Sequence, residues 1–435
     1  MMMLIKGGRV IDPGNIDGVC DIFIKDGIIS AVVAHDSEPE SPESSGRAVD
    51  MIVDAAGKII TPGLIDMHVH FREPGFEYKE TIETGCKAAA CGGFTAVCPM
   101  PNTNPVNDSR QWTEYMIQTA ASGCGVRVYP VGAISIGLDG KQLCDYGDLK
   151  AAGAVAVSDD GRPVSDSGLM RKALERANQT GLVVISHSED LGLTADGVIN
   201  EGEVSRRTGL TGIPNAAESI MVMRDIALCE LTGAALHIAH VSTRESVRAI
   251  REAKERGVPV TAETAPHYFT LTEEAVEQYK THAKMSPPLR NEKDRLAILE
   301  GLADGTIDVI ATDHAPHSVE EKDTDMKKAP NGIIGLETSL PLSLKLVESG
   351  LLSFSDLVRK MSKNPASILG VNSGIYVDGP ADITIIDPDL RHTVDAASFQ
   401  SKSRNTPFDG WEVKGKAVMT IVGGKIVYND RNFVP

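Results

Sequence analysis

The sequence is poor in aromatic residues and lacks paired cysteine motifs and long apolar runs. Aromatics make up 4% of its 435 residues, so the core must depend on aliphatic side chains, which suit parallel strands buried on both faces. The seven cysteines include no C-x-x-C pair, which argues against a disulfide framework and favours a reducing cytoplasm. No apolar run reaches the roughly 20 residues of a membrane span, and the start, MMMLIKGGRVID, turns polar too soon for a signal peptide.

Basic residues are also under-represented relative to acidic ones. Lys and Arg number 43 against 60 Asp and Glu, giving a net charge of −17. Such a surface disfavours non-specific binding to nucleic acid or to an anionic membrane. It leaves room for a small anionic substrate, because one buried arginine can reverse the local potential inside a pocket.

The two ends of the chain resemble each other and differ from the middle. LIKGGRVID near the start and AVMTIVGGKIVYND near the end are β-rich runs interrupted by glycine turns, as in hairpins. We therefore predict one small β-sandwich domain built from residues 1–60 and 373–435. The acidic, Pro/Ser-rich residues 36–46 predict an exposed loop within it.

Between these ends, short apolar runs alternate with helical patterns. The helical pattern is clear in SGLMRKALERANQTG and TRESVRAIREAKERG, which have apolar residues at three- and four-residue spacing and end in glycine. The apolar runs are eight in number: 64–70, 94–100, 126–132, 154–160, 182–187, 236–241, 258–264 and 309–314. Eight strands alternating with helices predict an α/β fold, a (β/α)₈ TIM-like barrel over residues 61–372.

Metal-ligand residue types follow the predicted strands. They are His68 and His70, Asp159 and Asp160, His187, His240 and Asp313, with Asn102 after the second strand. Any one of the histidines could be a hydrogen-bonded core residue, as we expect for His237, and Asp313 could be a helix cap. Their convergence on the carboxyl ends of the strands, where such barrels carry their active sites, favours a metal centre.

Imidazole and carboxylate groups suit zinc or a similar cation. Four histidines and two aspartates are too many ligands for one tetrahedral zinc that keeps an open position. Two metals sharing a bridging carboxylate would use all six, and such a pair activates water for attack on a carbonyl.

Six segments resemble motifs of the dihydroorotase family within the cyclic amidohydrolase superfamily, and the resemblance covers essentially the whole chain. They are HVHFREPG (68–75), PMPNT (99–103), SDDG (158–161), SHSED (186–190), AHVST (239–243) and ATDHAPH (311–317). The most specific element is R-E-P-G directly after His-x-His, followed by YKET. Hydantoinases and allantoinases, which share the metal ligands, usually lack it.

The resemblance implies two Zn²⁺ ions per subunit held by His68, His70, Asp160, His187, His240 and Asp313. His68 and His70 would hold one metal, and His187 and His240 the other. Asp160 would bridge them at the position where many superfamily members have a carboxylated lysine. Asp313 would also be the catalytic general acid and base. The implied substrate contacts are His70, Arg72, Asn102, Ser286, His317, Asn331 and Gly332.

Two positions depart from the family pattern. Many family members have Asn in place of Ser286 and a bulky apolar residue in place of Asn331. Hydantoinases also carry Ser before Pro-Pro, so Ser286 weighs slightly towards them. For Glu263 and His267, which lie beyond the seventh strand, we expect a packing or ligand-orienting role instead of catalysis.

The implied reaction is reversible, zinc-dependent hydrolysis of (S)-dihydroorotate to N-carbamoyl-L-aspartate in de novo pyrimidine (UMP) biosynthesis. The resemblance also implies a cytoplasmic homodimer and leaves open a complex with aspartate transcarbamoylase. The nearest alternative is another cyclic amidase, a hydantoinase, allantoinase or dihydropyrimidinase. A second alternative is a non-catalytic homologue that scaffolds aspartate transcarbamoylase, but such homologues have lost metal ligands that this chain retains.

Overall fold

A computed structural model describes residues 2–35, 49–431 and 433. The loop predicted at 36–46 lies outside the described residues. The strands are β1 (Met2–Asp12), β2 (Ile16–Lys25), β3 (Ile28–Ala34), β4 (Met51–Asp54), β5 (Ile59–Pro62), β6 (Leu64–Val69), β7 (Phe94–Pro99), β8 (Arg127–Val128), β9 (Val131–Ala133), β10 (Ala156–Ser158), β11 (Val183–Ser186), β12 (Ile199–Asn200), β13 (Gly212–Ile213), β14 (Leu236–Ile238), β15 (Val260–Thr264), β16 (Val309–Ile310), β17 (Ile383–Thr393), β18 (Glu412–Val422) and β19 (Lys425–Asn429).

The α-helices lie almost entirely between the barrel strands and after the last of them. They are α1 (Ile82–Cys91), α2 (Arg110–Ala121), α3 (Tyr146–Ala152), α4 (Ser167–Thr180), α5 (Leu191–Thr194), α6 (Glu203–Thr208), α7 (Ala216–Thr232), α8 (Arg244–Glu255), α9 (Pro266–Thr270), α10 (Ala275–Tyr279), α11 (Glu292–Asp304), α12 (Val319–Lys322), α13 (Ser339–Glu348), α14 (Phe354–Val358) and α15 (Asn364–Leu369). Among the helices of the described residues, none combines the length and apolar character needed to traverse a bilayer.

Eight parallel strands form the predicted barrel. They follow the order β6, β7, β8/β9, β10, β11, β14, β15, β16, the third strand being interrupted between Val128 and Val131. The ring closes where β6 meets the residues after β16, because the His70 amide donates to the His314 carbonyl at 2.8 Å. All eight predicted apolar runs contain one of these strands, so the predicted (β/α)₈ fold is confirmed.

The helix boundaries follow from capping residues that the sequence patterns contain. Asp166 caps α4 by accepting from the Leu169 amide, and Gly181 ends it with a left-handed φ of 67°. Thr243 caps α8 through the Ser246 amide. Side-chain caps satisfy amides that the first helical turn leaves without partners, and glycine adopts the left-handed conformation without steric cost. Both predicted helices therefore form where their periodicity and end signals coincide.

Both termini contribute to the small β domain. Its strands form one sheet in the order β19-β18-β17-β5-β1-β2-β3, and β4 pairs with the first half of β1. This β domain has its own apolar core, in which Ile5, Ile22, Ile60, Ile383 and Ile421 are almost completely buried. The last N-terminal strand of the sheet ends at Pro62, and its first C-terminal strand begins at Ile383. The predicted domain limit at 60/61 falls inside β5, and the one at 372/373 falls in the connection between α15 and β17; both limits stay predictions.

Candidate active site

Most of the predicted site residues line one cavity of about 480 Å³ at the carboxyl ends of the barrel strands. Its walls also include residues of the segment 189–197, which follows β11. The lining residues are His70, Arg72, Asn102, Asp160, Gly161, His187, Glu189, Leu191, Thr194, Ala195, Gly197, His240, Met285, Ser286, Asp313, Ala315, His317 and Asn331. Strands far apart in sequence therefore deliver their terminal polar residues to a single opening.

Asp160 lies at the centre of the histidine cluster. Its Oδ1 is 3.4 Å from His68 Nε2, 3.3 Å from His187 Nδ1 and 3.5 Å from His240 Nε2. Its Oδ2 is 3.5 Å from His70 Nε2. One carboxylate thus faces all four histidines, which is the arrangement that a bridging ligand requires.

Asp313 occupies the other side of the cluster, next to the first histidine pair. Its Oδ1 is 3.0 Å from His70 Nε2 and 3.6 Å from His68 Nε2. The donor atoms of His68, His70 and Asp313 lie within 4.8 Å of one another, and so do those of His68, Asp160 and His240. Two overlapping ligand groups therefore share His68.

The chemistry of these donors fits a pair of cations. His68 Nε2 and Asp160 Oδ1 are buried and have no hydrogen-bond partner among the described residues. Burying a polar atom without a partner costs free energy, and coordination of a cation would give both of these atoms a partner. Neutral imidazole nitrogens and carboxylate oxygens are ligands that zinc accepts.

Three site residues have strained backbones. His240, Asp313 and Arg72 adopt positive φ angles of 34°, 46° and 55°. Residues other than glycine rarely occupy this region, and where they do the surrounding fold holds them there, often at functional sites. Each of the three follows a barrel strand, and its side chain lines the cavity. The unusual backbone angle therefore accompanies the placement of a site side chain.

Two carboxylates, one buried and one half-buried, orient two of the histidines. Glu263 Oε1 accepts from His68 Nδ1 at 2.6 Å, which directs Nε2 of that ring into the site. The burial of Glu263 opposes ionisation, but His68 and His237 hold the pKa of its carboxyl well below the ordinary range. Glu189 accepts from His187 Nε2 at 3.1 Å and so leaves Nδ1 facing Asp160. Such outer partners fix the tautomer of a metal-binding histidine.

Glu263 makes the contact with His68 that its predicted orienting role requires, and the role itself stays a prediction. Glu189 was not predicted. The only sequence signal for Glu189 was its position two residues after His187 in SHSED. His237 is buried and hydrogen-bonded, as predicted, to Thr261 Oγ1 at 2.8 Å. However, its Nε2 also contacts Glu263 at 3.2 Å, so it belongs to the network beneath the site.

Asp159 and Asp160 have different surroundings. Asp159 Oδ1 accepts the amides of Ile134 and Ser135 at 2.7 and 3.0 Å, so this carboxylate orders the loop after the third barrel strand. Its burial raises the pKa of Asp159 to about 6. Only Asp160 faces the histidines, in agreement with the expectation that one of these neighbours serves as ligand.

A cationic end of the cavity lies beside the ligand cluster. Arg72 is held by a hydrogen bond from Nε to the Pro316 carbonyl at 3.2 Å, and its Nη2 is 3.4 Å from His317 Nε2. Burial lowers the pKa of Arg72 to about 10, so the guanidinium remains charged at neutral pH. Asn102 Oδ1 accepts from His70 Nδ1 at 3.0 Å and connects this end to the ligands.

Gly332 is the one predicted substrate contact outside the cavity wall. Its amide donates to the Lys284 carbonyl at 2.9 Å, and its carbonyl accepts from Lys322 Nζ and Asn405 Nδ2, both at 3.0 Å. A Cβ at this position would lie 2.8 Å from His317 Cδ2. The glycine therefore permits the close approach of its loop to His317. Ser286 and Asn331, the two departures from the family pattern, both line the cavity.

The barrel, the split β domain and the doubled ligand cluster define a cyclic amidohydrolase, a hydrolase of cyclic amides. Solved structures with the same fold include an L-hydantoinase (dihydropyrimidinase) from Arthrobacter aurescens, which is 27% identical with a TM-score of 0.87, covering 100% of this chain and 97% of that one. A D-hydantoinase (dihydropyrimidinase) from Thermus sp. is 26% identical with a TM-score of 0.80, covering 99% and 96%.

Sequence relatives identify the family within that class. A dihydro-orotase-like family model matches residues 57–246. The dihydroorotases of Desulforapulum autotrophicum and Geobacter sulfurreducens are 58% and 57% identical to this chain, covering 98% and 99% of it and 99% and 100% of their own lengths. The chain belongs to the dihydroorotase family.

Proposed function

We propose that this chain catalyses the reversible hydrolysis of (S)-dihydroorotate to N-carbamoyl-L-aspartate, a step of de novo pyrimidine synthesis. The sequence relatives named dihydroorotase, which match over nearly the full length, support this choice of substrate. The observation that carries it is Arg72, a half-buried cation in the cavity wall beside the ligand cluster. A planar guanidinium binds a carboxylate through two parallel hydrogen bonds, and dihydroorotate carries a carboxylate on its ring.

In this proposal, six residues hold two zinc ions. His68 and His70 bind one, His187 and His240 bind the other, and Asp160 and Asp313 complete the set. When bound, such a pair lowers the pKa of water and polarises a carbonyl. Glu263 and Glu189 keep the rings of His68 and His187 turned towards the site through their hydrogen bonds.

Asp313 serves as the general acid and base. Its carboxylate accepts a proton from the attacking water and then donates that proton to the ring nitrogen as the amide bond breaks. Its Oδ1 lies 3.0 Å from His70 Nε2, at the edge of the ligand cluster. Burial opposes ionisation of Asp313, but the neighbouring His68 and His70 hold its pKa below the ordinary value, so its carboxyl group is deprotonated at neutral pH. Arg72, Asn102 and His317 hold the substrate carboxylate, with Ser286 and Asn331 contacting the ring.

A substrate panel on metal-quantified protein tests this function. We expect turnover of dihydroorotate in one direction and of N-carbamoyl-aspartate in the other, with little activity on an uncharged hydantoin, on allantoin or on dihydrouracil. The reason is that an uncharged ring cannot accept the charge-assisted hydrogen bonds that the Arg72 guanidinium offers to a carboxylate. Preferential turnover of an uncharged ring would reject the assignment in favour of a hydantoinase-type activity.

We further propose a homodimer located in the cytoplasm. Helix α7 carries the exposed apolar side chains Ile220, Met223 and Leu231, which are 48%, 43% and 63% exposed and lie at helical spacing. Exposed apolar side chains in a row are typical of protein–protein interfaces, and this row supports an interface between two copies of the chain. Free thiols at all seven cysteines support a reducing compartment.

Light scattering should give the mass of two chains for the wild type and a shift towards one chain for the Met223→Glu variant. An unchanged dimer in that variant would place the interface elsewhere, and a wild-type monomer would reject the dimer itself. The complex with aspartate transcarbamoylase stays a prediction from the family resemblance.

A further inference from the structure

The YKET segment contacts the far side of the cationic end of the cavity. Lys79 does not line the cavity, and only 12% of its side chain is exposed. Its Nζ lies 3.3 Å from His317 Nδ1 and 2.9 Å from Glu321 Oε1, and it is 5.4 Å from the centroid of the Phe76 ring. The lysine is thus held in one place, directly behind a histidine that faces the substrate end.

Two contacts favour one position for the proton of His317, that of Lys79 at Nδ1 and that of the Asn331 carbonyl at Nε2. An ammonium group has only donors, so His317 Nδ1 must present a lone pair to Lys79. Burial and the charges of Arg72 and Lys79 lower the pKa of His317, so the ring is neutral and its single proton resides on Nε2. Nε2 lies 2.8 Å from the Asn331 carbonyl, which accepts that proton.

The opposite tautomer has partners close by. Glu321 Oε2 lies 3.6 Å from His317 Nδ1 and could accept a proton from it. Arg72 Nη2 lies 3.4 Å from Nε2 and could then donate to its lone pair, which would also face the Asn331 carbonyl oxygen at 2.8 Å. In that state His317 would present a lone pair to an incoming carboxylate and would also compete for the guanidinium.

We propose that Lys79 is a specificity-determining positioning residue that fixes His317 as an Nε2–H donor. The Asn331 carbonyl accepts this hydrogen bond in the free protein, and the substrate carboxylate, held by Arg72, shares the same proton in the complex. The inference rests on the proposed function, because it concerns recognition of an anionic ring. It assigns a role to the lysine of YKET, which is not a proposed metal ligand and does not line the cavity itself. Asp313, the proposed proton-transfer residue, is not involved, so replacing Lys79 should change the affinity for the substrate and not the rate of the chemical step.

A double-mutant cycle tests the proposal, using the variants Lys79→Met, His317→Asn and their combination. For K79M we expect KM for dihydroorotate to rise about tenfold, as for loss of one charge-assisted hydrogen bond, while kcat stays within about twofold. H317N should raise KM comparably. The double variant should resemble H317N alone, because residues that act through one another are not additive.

Three further variants complete the design. Lys79→Arg retains a donor and should restore most of the affinity, and Lys79→Gln serves as the neutral variant if K79M does not fold. The matched control is Lys87→Met, which removes an exposed lysine paired with Glu83 on α1 and should match the wild type. Additive KM effects, or a fall in kcat at unchanged KM, would overturn the role of Lys79. Inactivity of the wild type and K87M on dihydroorotate would instead reject the proposed function.

Discussion

Replacement of Asp313 by asparagine is expected to reduce turnover of dihydroorotate by about 10³-fold or more, since a positioned general acid and base contributes about 10²–10⁴-fold. Asparagine preserves the shape of the side chain and keeps one oxygen that can face the ligand cluster. It cannot accept a proton from water or return one to the ring nitrogen. The loss should therefore appear in kcat in both directions of the reaction, with the folded state retained.

A matched control lies at the opposite end of the same strand. Asp308 immediately precedes β16, where its carboxylate accepts the Ala262 amide at 2.8 Å and pairs with Lys254 at 2.6 Å. Residues at that face of a barrel contribute to stability, whereas those at the carboxyl ends carry the chemistry. Asp308→Asn should lower the melting temperature and leave kcat unchanged. Full activity in the Asp313 variant, measured at equal metal content, would contradict the assigned role.

The barrel and most of the cavity wall were predictable because they follow from local patterns. Each apolar run marks a strand, and the residue types after it mark the carboxyl end. Once eight such runs are assigned to a closed barrel, topology alone brings His68, His187 and Asp313 to one opening. The alternation of side chains along a strand also limited the choice between Asp159 and Asp160 to one ligand.

Contacts that depend on loop conformation could not be predicted in this way. Lys79 and His317 are 238 residues apart, and no periodicity relates them. The segment 191–197 enters the cavity wall through a short helix and a positive φ at Ala195, which the apolar pattern does not encode. The backbone contact of Gly332 to the substrate ring stays a prediction, and the hydrogen bond from its amide to the Lys284 carbonyl was not foreseen. In each case the contact depends on hydrogen bonds between loops that are far apart in the sequence and form only in the folded chain.

The pair Asp159 and Asp160 offers the sharpest test of the metal centre. Asp160→Asn should reduce bound zinc from the proposed two ions per chain to one or fewer, measured by elemental analysis after mild purification. Asparagine presents one neutral oxygen where the carboxylate has two charged ones facing four histidines. Loss of a group that only orients a ligand typically costs about 10–100-fold in metal affinity or activity, so loss of the bridging carboxylate should cost more.

Asp159→Asn is the neighbouring control, since it makes the same chemical change one residue away. Asparagine can still accept the Ile134 and Ser135 amides through its carbonyl oxygen, so the loop should hold with a modest loss of stability. Its zinc content should equal that of the wild type, because Asp159 does not face the histidines. If both variants lose zinc equally, the metal responds to loop order instead of to a ligand, and Asp160 is not the bridge. If neither loses zinc, the four histidines and Asp313 suffice to hold both cations.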